Sequence, residues 1–258
     1  SFVGSSPVAR HVYRTAAEHG KRVQALGGAK NFITIMPDAD MEAALDAVMA
    51  SAFGCAGERC LAASIVVPVG GCHEQVRNGL KKRIERMVVG DGSRKGVTLG
   101  PLISAAAKER VLGMIDQGIA EGADLVVDGR QTRMPARGFF LGATLFDNVT
   151  DEMTIGRDEI FGPVLSIMPA DSIETALEYT RRQPLANASS IFTTSGAHGR
   201  FWRYGVEASM VGINIGVAAP MAFFGFGGSK ESFFGDLKAH GREAYDFFTD
   251  RKVVISRW

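Results

Sequence analysis

The residues best suited to covalent chemistry lie between positions 53 and 62, in the sequence Phe-Gly-Cys-Ala-Gly-Glu-Arg-Cys-Leu-Ala. A cysteine thiolate that acts as a nucleophile needs a lowered pKa, close approach of the backbone to the substrate, and donors for a developing oxyanion. The glycines permit the close approach, and Arg59 places a positive charge beside the thiol of Cys60. Cys60 is therefore a candidate nucleophile, although on pattern alone a single cysteine is more often a small buried apolar residue.

The other cysteines and the histidines do not form a metal-binding pattern. Cys55 precedes Cys60 by five residues and is a candidate second reactive thiol, whereas Cys72 and His73 lack the spacing of metal ligands. Three cysteines are an odd number and do not suit a disulfide framework. We therefore predict no metal site, and we expect a reducing compartment.

Composition excludes several classes of protein. The 258 residues carry a formal net charge of +1, so charge alone indicates neither a nucleic acid nor an anionic membrane as partner. Hydrophobic residues make up 46% and charged residues 22%, which is typical of a globular protein that buries its own core. The chain has no run of about 18 apolar residues, so we predict no membrane span. It opens on Ser-Phe-Val-Gly without a methionine, and we expect it to be a fragment.

Apolar periodicity predicts the elements that position these residues. Strands alternate with helices of about 10–15 residues, which favours an α/β fold with a mainly parallel sheet flanked by helices. Cys60 lies between a helix predicted over 41–52 and a buried strand predicted over 61–69. Residues 218–235 are rich in Gly, Phe and Ser and predict a loop, whereas residues 247–255 predict a closing strand. Such a strand is either a sheet edge or an element lent to another subunit.

Several motifs together resemble the aldehyde dehydrogenase family. Gly-Glu-Arg-Cys at 57–60 resembles the family's cysteine motif, and Phe-Val-Gly-Ser at 2–5 resembles its strand-turn-helix at the cofactor pyrophosphate. The remaining matches are Leu-Gly-Gly-Ala-Lys at 26–30, Glu-Ile-Phe-Gly-Pro at 159–163, Gly-Phe-Gly-Gly-Ser-Lys at 225–230 and Phe-Phe-Thr-Asp-Arg-Lys-Val-Val at 247–254. The motifs follow the family's order and cover the whole chain.

The resemblance implies roles for particular residues. Cys60 would attack an aldehyde carbonyl and, after hydride transfer to NAD, would carry a thioester, with the oxyanion held partly by its own backbone N–H. Ser5 would cap a helix whose N-terminus faces the NAD pyrophosphate, and Gly27 would belong to the same cofactor site. Glu159 would bind the nicotinamide ribose. Phe161 would pack near the nicotinamide ring, unless it is simply a core residue.

One departure from the hydrolytic family members indicates a subfamily. Those members carry a glutamate before Leu-Gly-Gly that activates the water which splits the thioester, and here Ala25 stands at that place. Residues 21–25, 28–31, 220–224 and 232–235 are similar to CoA-acylating methylmalonate-semialdehyde dehydrogenases. In that subfamily an arginine beside the cysteine holds the substrate carboxylate. Arg59 would do so here, unless it forms an ion pair with Glu58 or another neighbour.

The resemblance leads to one leading prediction of function and two alternatives. The leading prediction is an oxidoreductase that uses NAD and coenzyme A to convert methylmalonate or malonate semialdehyde into propionyl-CoA or acetyl-CoA. The alternatives are a hydrolytic NAD(P)-dependent aldehyde dehydrogenase that uses another base, and a non-catalytic, oligomerising fragment of the family. We expect the fragment alone to bind NAD weakly or not at all and to be inactive.

The resemblance also implies an organisation of the chain. Residues 1–27 would be the remnant of an NAD-binding domain, residues 28–228 the catalytic domain, and residues 229–258 a C-terminal segment with an oligomerisation strand. We expect a homo-oligomer, either a dimer or a tetramer. We expect a cytoplasmic location, or the mitochondrial matrix in a eukaryote.

Overall fold

The computed structural model describes residues 1–258, which form eight α-helices and twelve β-strands. The helices are α1 (Ser6–Glu18), α2 (Met41–Phe53), α3 (His73–Ile84), α4 (Ala105–Ala120), α5 (Thr154–Arg157), α6 (Ile173–Arg182), α7 (Gly196–Gly205) and α8 (Gly241–Phe248). The strands are β1 (Phe2–Val3), β2 (Gln24–Leu26), β3 (Asn31–Ile35), β4 (Ala63–Pro68), β5 (Asp124–Val127), β6 (Thr144–Asp147), β7 (Val164–Ile167), β8 (Leu185–Ala186), β9 (Ala188–Phe192), β10 (Met210–Ile213), β11 (Ser229–Lys230) and β12 (Phe233–Gly235).

Seven strands form the main sheet, in the order β10-β9-β3-β4-β7-β6-β5. Every neighbouring pair is parallel except β5 with β6. Strands β3, β7 and β9 are buried along their whole length, as expected for parallel strands covered by other elements. The predicted α/β fold with a mainly parallel sheet flanked by helices is confirmed.

One continuous apolar core of 45 buried residues joins this sheet to its helices. Helix α2 shows how the sequence sets one of these contacts. The side chain of Asp40 caps it by accepting a hydrogen bond from the N–H of Ala43 at 3.2 Å. Its apolar residues Leu45 and Val48 are buried one turn apart. The start and the buried face of the helix are therefore set by the sequence, and the helix ends at Phe53, directly before the loop that carries Cys60. None of the helices is both long and apolar enough to cross a membrane.

A smaller three-stranded sheet, in the order β1-β2-β12, joins distant parts of the chain. Strand β2 pairs in parallel with β1 and antiparallel with β12, and β11 pairs antiparallel with β8. The loop predicted over 218–235 is therefore wrong where it includes β11 and β12. Strands of two and three residues are too short to show periodicity, and distant partners hold them in place. The domain boundaries at 28 and 229 stay predictions, although β12 places part of the third segment beside the first.

The closing strand predicted over 247–255 is not formed in this chain. Phe247 and Phe248 end α8, and residues 249–258 form no strand. A β-prone segment becomes a strand only when a neighbouring strand pairs with its backbone groups, and none does so here. Val253 and Ile255 are 85% and 94% exposed. Pairing with another subunit stays a prediction.

Candidate active site

The loop between α2 and β4, residues 54–62, is called the cysteine loop below and has an unusual backbone conformation. Cys55, Ala56 and Gly57 are consecutive left-handed residues, with φ angles of 51°, 53° and 73°. This conformation costs a non-glycine residue about 1–2 kcal/mol, so neighbouring structure must hold the turn. Gly57 is required at its position because a Cβ there would overlap the carbonyl group of Gly162. The cysteine loop is therefore pressed against the segment that follows Phe161.

The charged pair in front of the nucleophile, Glu58 and Arg59, anchors the loop at two places. The Glu58 carboxylate accepts a hydrogen bond from the N–H of Ile103 at 3.1 Å. The Nη2 of Arg59 donates to the carbonyls of Ala50 and Ser51 at 2.7 and 3.0 Å. These carbonyls lie in the last turn of α2, where a cation also interacts favourably with the helix dipole. Arg59 thus forms no ion pair with Glu58, and its contact with a substrate carboxylate stays a prediction.

Cys60 occupies the second position of a turn closed by a hydrogen bond from the N–H of Ala62 to the carbonyl of Arg59, at 3.0 Å. Burial raises the pKa of the Cys60 thiol above its ordinary value. Its own backbone N–H lowers that pKa, the Glu159 carboxylate raises it, and the Arg59 guanidinium lowers it. Arg59 therefore lowers the pKa of the Cys60 thiol, as expected, but by less than burial raises it.

Glu159 reaches the same site from a distant part of the sequence. Its Oε1 accepts a hydrogen bond from the N–H of Ala29 at 3.0 Å. A Cβ on Gly28 would lie 2.6 Å from its Oε2, so a larger residue there would displace the carboxylate. Burial raises the pKa of the Glu159 carboxyl group despite the Ala29 N–H, Lys30 and Arg110, which lower it. The structure brings Glu159 and Cys60 close enough for their charges to interact.

Phe161 borders an open cavity on the other side of the cysteine loop. Its backbone is left-handed, with φ of 52°, and the Arg110 guanidinium donates to the carbonyls of Ile160 and Phe161. The side chain is 38% exposed, so Phe161 is not a core residue of this chain. The cavity has a volume of about 510 Å³, and its other lining residues are Cys55, Ala56, Glu58, Gly100, Pro101, Leu102 and Ile103.

The start of α1 contacts the turn at Gly27 and Gly28, called the glycine turn below, through Ser6 instead of Ser5. Ser5 occupies the N-cap position, but its side chain makes no capping hydrogen bond. The Ser6 hydroxyl accepts from the N–H of Gly28 at 2.9 Å and donates to the carbonyl of Glu231 at 3.0 Å. A Cβ on Gly27 would lie 2.6 Å from that same carbonyl oxygen. Nothing in the sequence distinguishes the two adjacent serines, and only the packing shows which one reaches the turn.

Two asparagines that were not among the predicted site residues contact Cys60. The Nδ2 atoms of Asn31 and Asn187 donate to the Cys60 carbonyl at 3.0 and 2.8 Å. Both side chains are buried, at 4% and 5% exposure. The sequence offers one sign of this role, which is the position of each asparagine at the start of an apolar strand. Asn31 opens β3, and Asn187 precedes β9. Buried amides at such places require hydrogen-bond partners.

Lys30 was also not among the predicted site residues. It holds the segment that carries Glu159. Its Nζ is fully buried and donates to the carbonyls of Ile155 and Asp158 at 2.7 and 2.8 Å. Burial lowers the pKa of Lys30 to about 7, although the carboxylates of Glu159 and Asp158 raise it. Lys30 and Glu159 interact, yet burial shifts each of them toward its neutral form.

The geometry can be compared with known proteins. A model of the aldehyde dehydrogenase family matches residues 1–254. The chain belongs to the aldehyde dehydrogenase family. It is 48% identical over 258 residues to the malonate-semialdehyde dehydrogenase of Halalkalibacterium halodurans, covering 100% of this chain and 53% of that relative. The malonate-semialdehyde dehydrogenase of Bacillus cereus (strain AH187) is 48% identical over 259 residues, with the same coverage. The chain thus spans about half the length of the curated relatives it matches.

Solved aldehyde dehydrogenase structures have the same fold. A putative methylmalonate-semialdehyde dehydrogenase from Sinorhizobium meliloti 1021, complexed with NAD, superposes with a TM-score of 0.97 at 42% identity. The methylmalonate-semialdehyde dehydrogenase from Oceanimonas doudoroffii gives a TM-score of 0.97 at 43% identity. Each match covers 100% of this chain and 53% of the other chain. The resemblance drawn from the motifs is therefore confirmed.

We predict that Lys30 makes the stability of this aldehyde dehydrogenase chain rise with pH. Its folded-state pKa of about 7 lies below the ordinary 10.5, so between these values the unfolded chain binds a proton that the folded chain does not. Stability then increases with pH across this interval. The unfolding free energy of the wild type minus that of Lys30→Met should increase from about pH 7 to about pH 10, as measured by urea denaturation. The exposed Lys82→Met is the control and should show no such trend. A Lys30 difference that stays flat or falls would contradict the prediction.

Proposed function

We propose that the protein containing this chain oxidises malonate or methylmalonate semialdehyde with NAD and coenzyme A, releasing CO2 and forming acetyl-CoA or propionyl-CoA. The observation that carries the proposal is a half-buried Cys60, directly after the left-handed turn at 55–57 and within the electrostatic reach of Glu159, in a chain 48% identical to a malonate-semialdehyde dehydrogenase. The methylmalonate-semialdehyde dehydrogenases of known structure support the same substrate class.

The residues present fit part of an NAD site. When bound, NAD supplies the acceptor for the hydride. The N-terminus of α1, a helix of 13 residues, presents free N–H groups and a partial positive charge that suit a pyrophosphate. The Glu159 carboxylate suits the ribose hydroxyls, and the exposed Phe161 ring suits packing against the nicotinamide. The NAD complex from Sinorhizobium meliloti supports this assignment.

Cys60 carries the covalent chemistry in this proposal. Its sulfur forms a bond to the aldehyde carbon, and its backbone N–H donates to the oxyanion that results. Loss of hydride to NAD then leaves a malonyl or methylmalonyl thioester on the sulfur, and loss of its carboxylate as CO2 with uptake of a proton leaves the acetyl or propionyl thioester. Gln24, Ala25 and Leu26 of β2 are all buried, and none of them is a base that activates water. The thiol of coenzyme A, a better nucleophile than water, would therefore remove the acyl group.

We also propose a homo-oligomer, either a dimer or a tetramer, and a cytoplasmic location, or the mitochondrial matrix in a eukaryote. Exposed apolar side chains near the two ends of the chain, among them Val3, Val253 and Ile255, support association. All three cysteines are free, which supports a reducing compartment.

The first test of the proposal is the position of the acyl group. We predict that incubation of the protein with malonate semialdehyde and NAD, without coenzyme A, acylates Cys60. Peptide mass spectrometry would locate the added mass. Cys60→Ala should abolish the acylation, whereas Cys55→Ala should retain it. Acyl mass on Cys55 or Cys72 would show that the nucleophile has been assigned to the wrong residue.

The second test concerns coenzyme A. A general base contributes about 10²–10⁴-fold to a rate, so without one at Ala25 deacylation by water should be slower by a factor of this order. Omission of coenzyme A should leave a burst of NADH close to one per Cys60, followed by slow turnover, both followed by absorbance. The Cys60→Ala variant should give no burst and is the control. Steady turnover equally fast without coenzyme A would refute the proposal and favour a hydrolytic aldehyde dehydrogenase.

The third test separates two roles of Arg59. Its Nη2 caps α2, while its Nη1 makes no hydrogen bond within the chain. A charge-assisted bond to a substrate carboxylate contributes roughly 1.5–3 kcal/mol, so Arg59→Leu should lower kcat/KM for malonate semialdehyde by about one to two decades. Propanal has no carboxylate and should be much less affected. Equal losses on both aldehydes would mean that Arg59 acts only through the α2 cap.

A further inference from the structure

The carbonyl group of Cys60 lies in the central peptide of a turn. The turn runs from Arg59 to Ala62 and is closed by the Ala62 N–H. This hydrogen bond leaves the Cys60–Leu61 peptide unconstrained, because turns with either orientation of the central peptide keep the same closing bond. The amides of Asn31 and Asn187 are the groups that hold this peptide, at 3.0 and 2.8 Å from the carbonyl oxygen.

The two asparagines differ in how many other contacts they make. Asn31 also donates to the carbonyl of Ala62 at 2.9 Å and accepts from the N–H of Ala188 at 3.0 Å, so it joins the starts of β3, β4 and β9. The only hydrogen bond of the Asn187 side chain goes to Cys60. A buried amide is costly unless it is hydrogen-bonded, and the Asn187 amide meets this requirement at Cys60 alone.

The backbone before the turn increases the need for such a support. Cys55, Ala56 and Gly57 are all left-handed, and strained backbone persists only where the surroundings determine it. The Glu58 and Arg59 contacts hold the loop before Cys60, whereas Asn31 and Asn187 hold the peptide that follows it. Cys60 is thus fixed on both sides.

We propose that Asn187, together with Asn31, is a positioning residue that fixes the Cys60 turn and thereby the place of the thiol within the loop. The inference rests on the proposed function only in taking Cys60 as the nucleophile. The thiol lies where burial, Glu159 and Arg59 all act on its pKa, so a turn that loses its support should change how readily the thiol ionises. Leucine has the same branched side-chain skeleton as asparagine, so Asn187→Leu keeps an apolar side chain of similar shape in place and removes the hydrogen bond.

Asn214 provides a matched control elsewhere in the structure. Its side chain accepts from the N–H of Thr193 at 2.9 Å and donates to the carbonyl of Thr193 at 3.0 Å. It follows β10, whereas Asn31 opens β3, so it lies beyond the carboxyl ends of the parallel strands, at the edge opposite to Cys60. Asn214→Leu therefore loses two hydrogen bonds to the backbone without a contact to the nucleophile.

The test measures alkylation of Cys60 by iodoacetamide as a function of pH, in this chain and without semialdehyde, NAD or coenzyme A. Peptide mass spectrometry reports Cys60 and the exposed Cys55 separately. In Asn187→Leu we expect the rate of Cys60 alkylation at neutral pH to change by about fivefold, and its pH profile to move away from that of the wild type. Cys55 should react as in the wild type. Asn214→Leu should lower the stability of the chain and leave the Cys60 profile in place.

If Asn187→Leu does not fold, Asn187→Ser tests the same point, because the hydroxyl of serine is too short to reach the Cys60 carbonyl. The inference is overturned if the Cys60 profile of the folded Asn187 variant matches that of the wild type, or if Asn214→Leu moves it equally. A protein that fails to oxidise semialdehydes would refute the proposed function but would not alter the alkylation result.

Discussion

The contact between Gly57 and the carbonyl group of Gly162 is the constraint on which the site depends. Neither position has room for a Cβ, since one on Gly57 would overlap Gly162, and one on Gly162 would meet the side chain of Val111 in α4. The cysteine loop, the Phe161 segment and α4 are therefore stacked at backbone distance. Because Val111 belongs to the apolar core, the strain of the left-handed turn is opposed by packing of the whole domain.

Burial governs the charged groups around this contact. It raises the pKa of Cys60 and of Glu159 and lowers that of Lys30, so each group is shifted toward its neutral form. Hydrogen bonds with the backbone offset part of the cost of burying these groups. The N–H of Ala29 donates to Glu159, and Lys30 donates to the carbonyl of Ile155. The site is thus held together mainly by hydrogen bonds between side chains and the backbone and by close packing, and ion pairs have a minor part in it.

The sequence allowed much of the fold to be predicted and a smaller part of the site. The helix predicted over 41–52 was found as α2, which ends one residue later, and the strand predicted over 61–69 was found as β4 within those bounds. The short strands β11 and β12 were not, because they exist through pairing with distant strands. Cys60 could be singled out by its neighbours in sequence. Asn187 and Lys30 could not, because each acquires its role from a carbonyl that the fold brings to it from far along the chain.

The pairing of β2 with β12 has a consequence for how the protein is made. The hydroxyl of Ser232 donates to the carbonyl of Gly28 at 2.6 Å, so the glycine turn receives this partner only after more than two hundred further residues have been added. Contacts of such long sequence separation form late, because the entropy of closing the intervening chain must first be overcome. On the ribosome the main sheet can assemble strand by strand, while the glycine turn has only its earlier partners, such as Ser6, until Ser232 emerges. A protein stalled during synthesis shortly before Ser232 would therefore hold a folded core and an incomplete site.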